Sequence, residues 1–234
     1  MRTIILCCVA AMYPVSSSSA QQDAAAGGSI AGVVIDEKGK TLPNVEIVWY
    51  RSVIRPEDKQ AAEGSTLSDE KGRFTFEKLG EAVYLLCNRS DVARKLVANC
   101  AWNRNPPSIT LKNGQKLTGY QFTVQDGIRV EFELRDPNQV LSAVAKTAEG
   151  SPLRLGLRTD EGMHHPAKLE SQSKDTFTYV MVVPPNLDVT PQVSGIGMAF
   201  TDDKDSLVDN ERVSKVQLQP GEVLKKFVYK VEKH

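Results

Sequence analysis

Short apolar runs alternate with turn residues along most of the chain, and no window carries the period of about 3.6 residues that marks a long helix. Val45, Ile47 and Trp49 share one face of an extended segment, so we expect all three to point inward. Residues 128–134 alternate between apolar and charged side chains, as in an antiparallel strand with one solvated face. Only residues 91–98 are compatible with a short helix. The pattern predicts an all-β protein.

Two stretches of the chain match one another without a gap, residues 109–124 and residues 216–231. Leucine, glycine, leucine and valine coincide, and aromatic residues stand opposite aromatic residues at two further positions. Earlier in each half, Phe74-Thr75-Phe76 matches Phe177-Thr178-Tyr179. Matches at nearly the same offset indicate a repeated domain of about a hundred residues, a period too long for a solenoid.

The repeat divides the chain into two domains, residues 29–125 and residues 126–234. In the same comparison, Tyr84 falls opposite Leu187. The second copy lacks the Asp-x-x-Gly turns of the first copy, so its fold is inferred from the repeat alone. We therefore predict two tandem β-sandwiches.

Several turn-and-strand motifs of the first domain carry a family resemblance: Gly32-x-Val34 with Asp36-x-x-Gly39, Leu42-Pro43-Asn44-Val45-x-Ile47, Asp69-x-x-Gly72-x-Phe74-x-Phe76-x-x-Leu79, and Tyr84-x-Leu86. In this order and spacing they resemble the carboxypeptidase regulatory-like domain. The resemblance implies a Greek-key β-sandwich of the transthyretin (prealbumin) type, often grouped with carbohydrate-binding-like folds. Asn44 stands where that family usually has glycine, and asparagine also tolerates the left-handed backbone. The predicted fold class is therefore all-β, with two tandem transthyretin-like Greek-key sandwiches.

The N-terminus has the features of a signal peptide covering residues 1–20. Arg2 supplies the positive charge, residues 4–13 are apolar, and Ser18-Ser19-Ala20 offers the small residues of a cleavage site. Residues 21–28, which are small and polar, are predicted to form a flexible leader.

The four cysteines fit export. Cys7 and Cys8 leave with the signal peptide, unless one of them carries a lipid anchor, an alternative that Leu6 disfavours because a small residue is expected there. Cys87 and Cys100 remain, and in an oxidising compartment such a pair predicts a disulfide. No later segment approaches the ~20 apolar residues that span a bilayer. We expect an extracytoplasmic protein that is periplasmic, secreted or at the cell surface.

The net charge and the histidine content argue against several classes of function. The 29 basic and 29 acidic side chains cancel, so a nucleic-acid partner is not expected. His164 and His165 are adjacent and point to opposite faces of an extended segment, so we place them in a solvated loop rather than at a metal. His234 is the last residue, and no catalytic sequence motif is present. We predict neither an enzyme nor a cofactor.

One acidic loop invites a test for calcium, which takes roughly six to eight oxygen ligands. Asp202, Asp203 and Asp205 supply carboxylates, but Lys204 sits among them and the spacing is not that of an EF-hand. We interpret the loop as a charged hairpin tip and leave calcium open.

Sugar recognition needs an aromatic platform, and the candidate residues are Tyr50 and Trp102. The alternative is that both cover a sandwich edge or the seam between the domains. The leading functional hypothesis is a secreted, non-enzymatic binding or adhesion-type module that presents loops to a glycan or protein of the cell envelope. The second hypothesis is a structural spacer or accessory subunit of an extracytoplasmic assembly.

Overall fold

The structure is a computed structural model, and it describes residues 27–52, 63–103, 106–145, 153–210 and 213–233. The predicted signal peptide (1–20), residues 21–26 of the predicted leader, and His234 lie outside this range. The first strand begins at Gly28, so the end of the predicted leader belongs to the first sheet. No helix of the described residues is long and apolar enough to cross a membrane.

Within the described residues, the first sandwich has seven strands: β1 (Gly28–Ile35), β2 (Glu46–Arg51), β3 (Glu63–Leu67), β4 (Arg73–Leu79), β5 (Ala82–Asn88), β6 (Ser108–Leu111) and β7 (Lys116–Thr123). One sheet has the order β4-β1-β7, with β1 and β7 parallel, and the other has the order β3-β2-β5-β6. A short helix, α1 (Asn99–Trp102), lies between β5 and β6. Alternating residues of the two sheets fill the core, including Ile47, Tyr84 and Phe122, and Val45 joins them from just before β2.

The second sandwich follows directly, with β8 (Ile128–Arg135), α2 (Val140–Ala145), β9 (Leu153–Thr159), β10 (His164–Pro166), β11 (Lys168–Gln172), β12 (Thr176–Val183), β13 (Asp188–Gly195), β14 (Met198–Thr201), β15 (Val216–Gln217) and β16 (Leu224–Lys233). Its sheets have the orders β11-β12-β8-β16-β14 and β10-β9-β13-β15. The core is separate from that of the first sandwich and is centred on Phe132, Leu134 and Leu157.

The two sandwiches share one strand order. The sheet β4-β1-β7 recurs as β12-β8-β16, and β3-β2-β5-β6 recurs as β10-β9-β13-β15. Strands β11 and β14 are additions at the two edges of the larger sheet. The predicted fold class, two tandem β-sandwiches in an all-β chain, is confirmed.

The gap-free match of 109–124 with 216–231 also holds in three dimensions. Gly114 and Gly221 both have a positive φ, of 70° and 84°. Gln115 and Glu222 follow these glycines, and the side chain of each accepts the backbone amide hydrogen of the residue three positions before it. The turn that enters β7 is therefore built in the same way as the turn that enters β16.

The strand pairing of β4 and β12 corrects the sequence match of residues 74–76 with residues 177–179 by two positions. Phe74 lies opposite Gly32 of β1, and Tyr179 lies opposite Phe132 of β8. Gly32 and Phe132 are equivalent because their parallel partners in β7 and β16 are matched residues. Phe74 therefore corresponds to Tyr179 rather than to Phe177.

The same shift applies in β5. Tyr84 pairs with Ile109, and Val189 pairs with Val216, the residue matched to Ile109. Tyr84 therefore corresponds to Val189 rather than to Leu187. A shift of two residues leaves the inward–outward alternation of a strand unchanged, so the hydrophobic pattern could not detect it.

The segment predicted as a possible helix, residues 91–98, is instead a tight turn. Asp91 and Leu96 exchange backbone hydrogen bonds of 3.1 and 2.9 Å, and the Asp91 carboxylate accepts the amide hydrogen of Arg94. Lys95 has a φ of 58°, outside the helical region. An aspartate side chain that bonds to nearby backbone competes with helix formation, which explains the error.

The second sandwich has a turn of the same geometry as an Asp-x-x-Gly turn of the first, at another place in the fold, after β14. The Asp202 Oδ1 atom accepts the amide hydrogens of residues 204 and 206, as Asp69 Oδ1 does for residues 71 and 73. Asp205, with a φ of 56°, occupies the place of Gly72. Aspartate tolerates this left-handed backbone, so the same turn geometry forms here without a glycine.

Candidate functional site

The two sandwiches meet along a seam, which we define by Val97, Trp102, Gly127, His165 and Val182. Val97 and Val182 are 1% and 3% exposed, although neither belongs to a sandwich core. A Cβ atom on Gly127 would lie 2.5 Å from a Val97 methyl and 2.6 Å from a Val182 methyl. The connection between the sandwiches is therefore closely packed, and a side chain larger than hydrogen does not fit there without movement.

Backbone hydrogen bonds hold this connection to the turn before α1. The Val97 amide donates to the Gln125 carbonyl at 3.0 Å, and the Gly127 amide donates to the Lys95 carbonyl at 2.7 Å. Leu96 and Asp126 form an isolated β-bridge between these two bonds. The residues that join the sandwiches are therefore fixed by the first sandwich.

Trp102 crosses the seam and stacks on His165 of β10. The ring centroids are 3.8 Å apart and the planes differ by 15°. Trp102 packs against the core of the second sandwich, although α1 belongs to the first. The predicted platform residue thus has one ring face covered by the histidine.

A disulfide positions α1. Cys87 and Cys100 are bonded, as predicted, with their Cα atoms 5.4 Å apart. The Asn99 side chain adds a hydrogen bond from the Asn88 amide at 2.9 Å. Helix α1 is therefore attached to β5 by a covalent bond and a hydrogen bond, and both fix where Trp102 points.

The histidine pair does not lie in a solvated loop as predicted, because both residues are in β10. His165 is 8% exposed, and the His164 Nε2 atom is buried without a hydrogen-bond partner among the described residues. Burial lowers the pKa of both rings, with further lowering by His164 for His165 and by Arg154 for His164. Both side chains are therefore neutral near neutral pH, and His165 acts as a packing group of the seam.

Two cavities open along the seam, and both have Tyr50, Trp102 and His165 in their walls. The first, which we call the wide cleft, has a volume of about 1090 Å³ and is also lined by Met163 and Asp188. The second, which we call the seam cavity, has a volume of about 340 Å³. Both sequence-predicted aromatic residues therefore lie at the same place, between the sandwiches.

Metal chemistry has little support in the part of the chain that the structure describes. No group of three or more His, Cys, Asp or Glu side chains there is placed to hold a metal ion. The Asp202 carboxylate is already used by two backbone amides of its own turn.

Sequence reasoning missed His165 and the packing of Gly127. His165 stacks on a residue of the other sandwich, and no local spacing connects the two. Gly127 lies beside the predicted domain boundary, but its role follows from the contact with Val97 and Val182, which only the fold brings together.

Comparison with known proteins gives fold likeness only. No model of a known protein family matches the chain, and no curated protein matches it. Solved structures similar to it include a streptococcal ancillary pilin, with 13% identity and a TM-score of 0.40 over 88% of this chain and 63% of that chain. The TIE protein of Bacillus anthracis is 16% identical, with a TM-score of 0.32 over 88% of this chain and 34% of that protein.

The major pilin subunit BcpA of Bacillus cereus is 8% identical, with a TM-score of 0.33 over 87% of this chain and 69% of that chain. The chain thus spans about a third of the TIE protein and less than two thirds of the ancillary pilin. TM-scores this low carry no inference about function, so the proposals below rest on the geometry of the seam.

Proposed function

We propose that the protein is a non-enzymatic structural spacer or accessory subunit of an extracytoplasmic assembly, in which two domains, 29–125 and 126–234, set a fixed distance and orientation. The observation that carries this proposal is the seam: Trp102 of one sandwich is stacked on His165 of the other at 3.8 Å. Domains joined by a free linker move relative to one another by default, and a packed seam restricts that motion.

The linker supports a fixed orientation. Gln125 and Gly127 each form a backbone hydrogen bond to the turn before α1, and the intervening Asp126 forms a bridge to Leu96. Gly127 has no room for a methyl group beside Val182. A spacer needs such a short connection, because additional linker residues would let the two domains change their relative orientation.

Export supports the extracytoplasmic part of the proposal. The disulfide that holds α1 persists only under oxidising conditions, and the predicted signal peptide would deliver the chain there.

The test is whether the two sandwiches of residues 21–234 tumble as one body. We expect ¹⁵N relaxation to give one rotational diffusion tensor for both, and small-angle scattering to match a single conformation. The double substitution Trp102→Ala with His165→Ala should give two separate tensors, while His164→Ala, which changes the neighbouring ring outside the stack, should retain one. Independent tumbling of the unsubstituted protein would refute the spacer proposal.

A second candidate function is glycan or envelope-protein binding in the wide cleft. It is favoured by one observation, that Tyr50 and Trp102 line the same cleft. Aromatic rings beside polar groups suit a sugar ring, which presents apolar and hydroxyl faces together.

Pull-down on insoluble polysaccharides and whole cell envelopes tests this candidate. Tyr50→Ala should abolish retention if the cleft binds glycan. The matched control is Tyr120→Phe, on a half-buried tyrosine that does not line the cleft. Retention on envelopes that is unaffected by Tyr50→Ala would point to a protein partner at another surface, as expected for an accessory subunit.

A further inference from the structure

The seam cavity has the size and walls of a small-molecule site. Its apolar walls come from both sandwiches: Val92, Ala98 and Trp102 from the first, and Val180 and Val182 from the second. An apolar cavity of about 150 Å³ is enough for one benzene molecule, and ligand pockets begin at roughly 300 Å³. A volume of about 340 Å³ therefore suits a compact organic molecule.

The charged groups in these walls are cationic. Arg89 and Lys168 line the cavity, and no carboxylate does so among the described residues. Arg89 has a distant partner, Glu46, with 3.7 Å between the nitrogen and oxygen atoms. Lys168 forms no ion pair within the described part of the chain. Both cationic side chains are exposed to solvent. A cation beside an apolar wall favours a ligand with an anionic group on an apolar body.

The neighbouring wide cleft differs in this respect, since Asp160, Glu161 and Asp188 line it. An anionic ligand is therefore favoured in the seam cavity and disfavoured in the wide cleft. Trp102 lines both cavities, and the charged residues beside it are basic in the seam cavity and acidic in the wide cleft.

We propose that the seam cavity binds a small amphipathic monocarboxylate, with its apolar body between Trp102 and the valines of β12 and its carboxylate at Lys168. The proposal does not depend on the spacer function. Because the ligand touches both sandwiches, its binding also stabilises the closed seam.

The experiment uses Trp102 as the reporter and decanoate as the probe. The chain has two tryptophans, so Trp49→Phe leaves Trp102 alone. Titration with decanoate, below its aggregation concentration, should change the Trp102 fluorescence saturably, and calorimetry on the unsubstituted protein should give the same affinity. Decylamine, with the same chain and the opposite charge, should bind at least about tenfold more weakly, a difference of about 1.4 kcal/mol.

Variants then locate the ligand. Lys168→Gln should weaken decanoate binding about tenfold, in line with the loss of a hydrogen bond to a charged group. Lys174→Gln, on the same hairpin but outside the cavity walls, should leave it unchanged. Ala98→Leu should block the cavity, and Met163→Ala, which changes only the wide cleft, should have no effect. Circular dichroism verifies that each variant is folded.

Four outcomes would overturn the proposal. The first is no saturable response to decanoate, and the second is equal affinity for decylamine. The third is an affinity of the Lys168→Gln variant that equals that of the Lys174→Gln control. A larger effect of Met163→Ala than of Ala98→Leu would move the site to the wide cleft and also contradict it.

Discussion

Removing the disulfide should weaken the first sandwich by an amount that the chain length between the cysteines sets. Cys87 and Cys100 are 13 positions apart. For a closed loop of that length, the chain-entropy relation gives about 3 kcal/mol at 25 °C. Alanine is the suitable replacement, because Cys87 is 5% exposed and a serine hydroxyl there would be buried.

The assay is urea unfolding of the Cys87→Ala, Cys100→Ala double variant, followed by tryptophan fluorescence, since both tryptophans, Trp49 and Trp102, lie in the first sandwich. Trp49 packs against the first core and makes an edge contact with Tyr84, with ring centroids 5.4 Å apart. With a slope of about 2 kcal/mol per molar urea, the midpoint should fall by about 1.5 M. The unsubstituted protein under reducing conditions is the matched control and should unfold near the same midpoint.

The result that would refute the reasoning is a loss below about 1 kcal/mol in both the double variant and the reduced protein. That outcome would mean that the unfolded first domain keeps Cys87 and Cys100 close together without the bond, since residual structure in the unfolded state reduces what a cross-link contributes. A large loss in the double variant alone would instead point to damaged packing around β5.

Three further predictions concern the seam and the second sandwich. Gly127→Ala should destabilise the protein by about 2 kcal/mol through overpacking, since the added Cβ atom would lie within 2.8 Å of three atoms. Thermal unfolding measures this loss, and an unchanged midpoint temperature would contradict it. Acidification from about pH 7.5 to 5.5 should lower the free energy of unfolding, because burial lowers the pKa of His165 in the folded state and the unfolded chain therefore takes up the proton first. The loss begins as the pH falls to the ordinary pKa of 6.5. His165→Asn should reduce the dependence of the unfolding free energy on pH, measured by urea titrations at several pH values. Asp202→Ala should cost the second sandwich about 1 kcal/mol by removing the acceptor of two amides, while Asp203→Ala, in the same turn, serves as a near-neutral control in urea unfolding.

The strands were predictable because their signal is local. Val45 and Ile47 flank Glu46, and they are 1% and 0% exposed, as the period of two residues predicts. Trp49 also packs against the first core, as predicted. The repeat was predictable for a similar reason, since the turn around Gly114 and its copy at Gly221 use the same residue for the same positive φ.

The site was only partly predictable because its parts come from both repeats. Tyr50 and Trp102 stood out as aromatic residues outside the expected core, and they line the same cleft. The stack of Trp102 on His165 depends on the angle between the sandwiches, which no periodicity in either repeat encodes.

The seam itself arises where the two repeats differ. In the second sandwich, β14 covers the end of β16, with Met198 opposite Lys233. In the first sandwich the residues equivalent to that end follow β7, and there Leu96 lies opposite Asp126. The segment of Leu96 thus covers the same edge from the equivalent connection, since it lies between β5 and β6 while β14 lies between β13 and β15, but it takes a shorter route that makes a single bridge instead of a strand. This route continues into α1, which carries Trp102 to the second sandwich. A repeat that kept the β14 arrangement would protect its edge equally well, but it would have no group to place on the next domain, so the diverged segment is the feature that turns two sandwiches into one oriented pair.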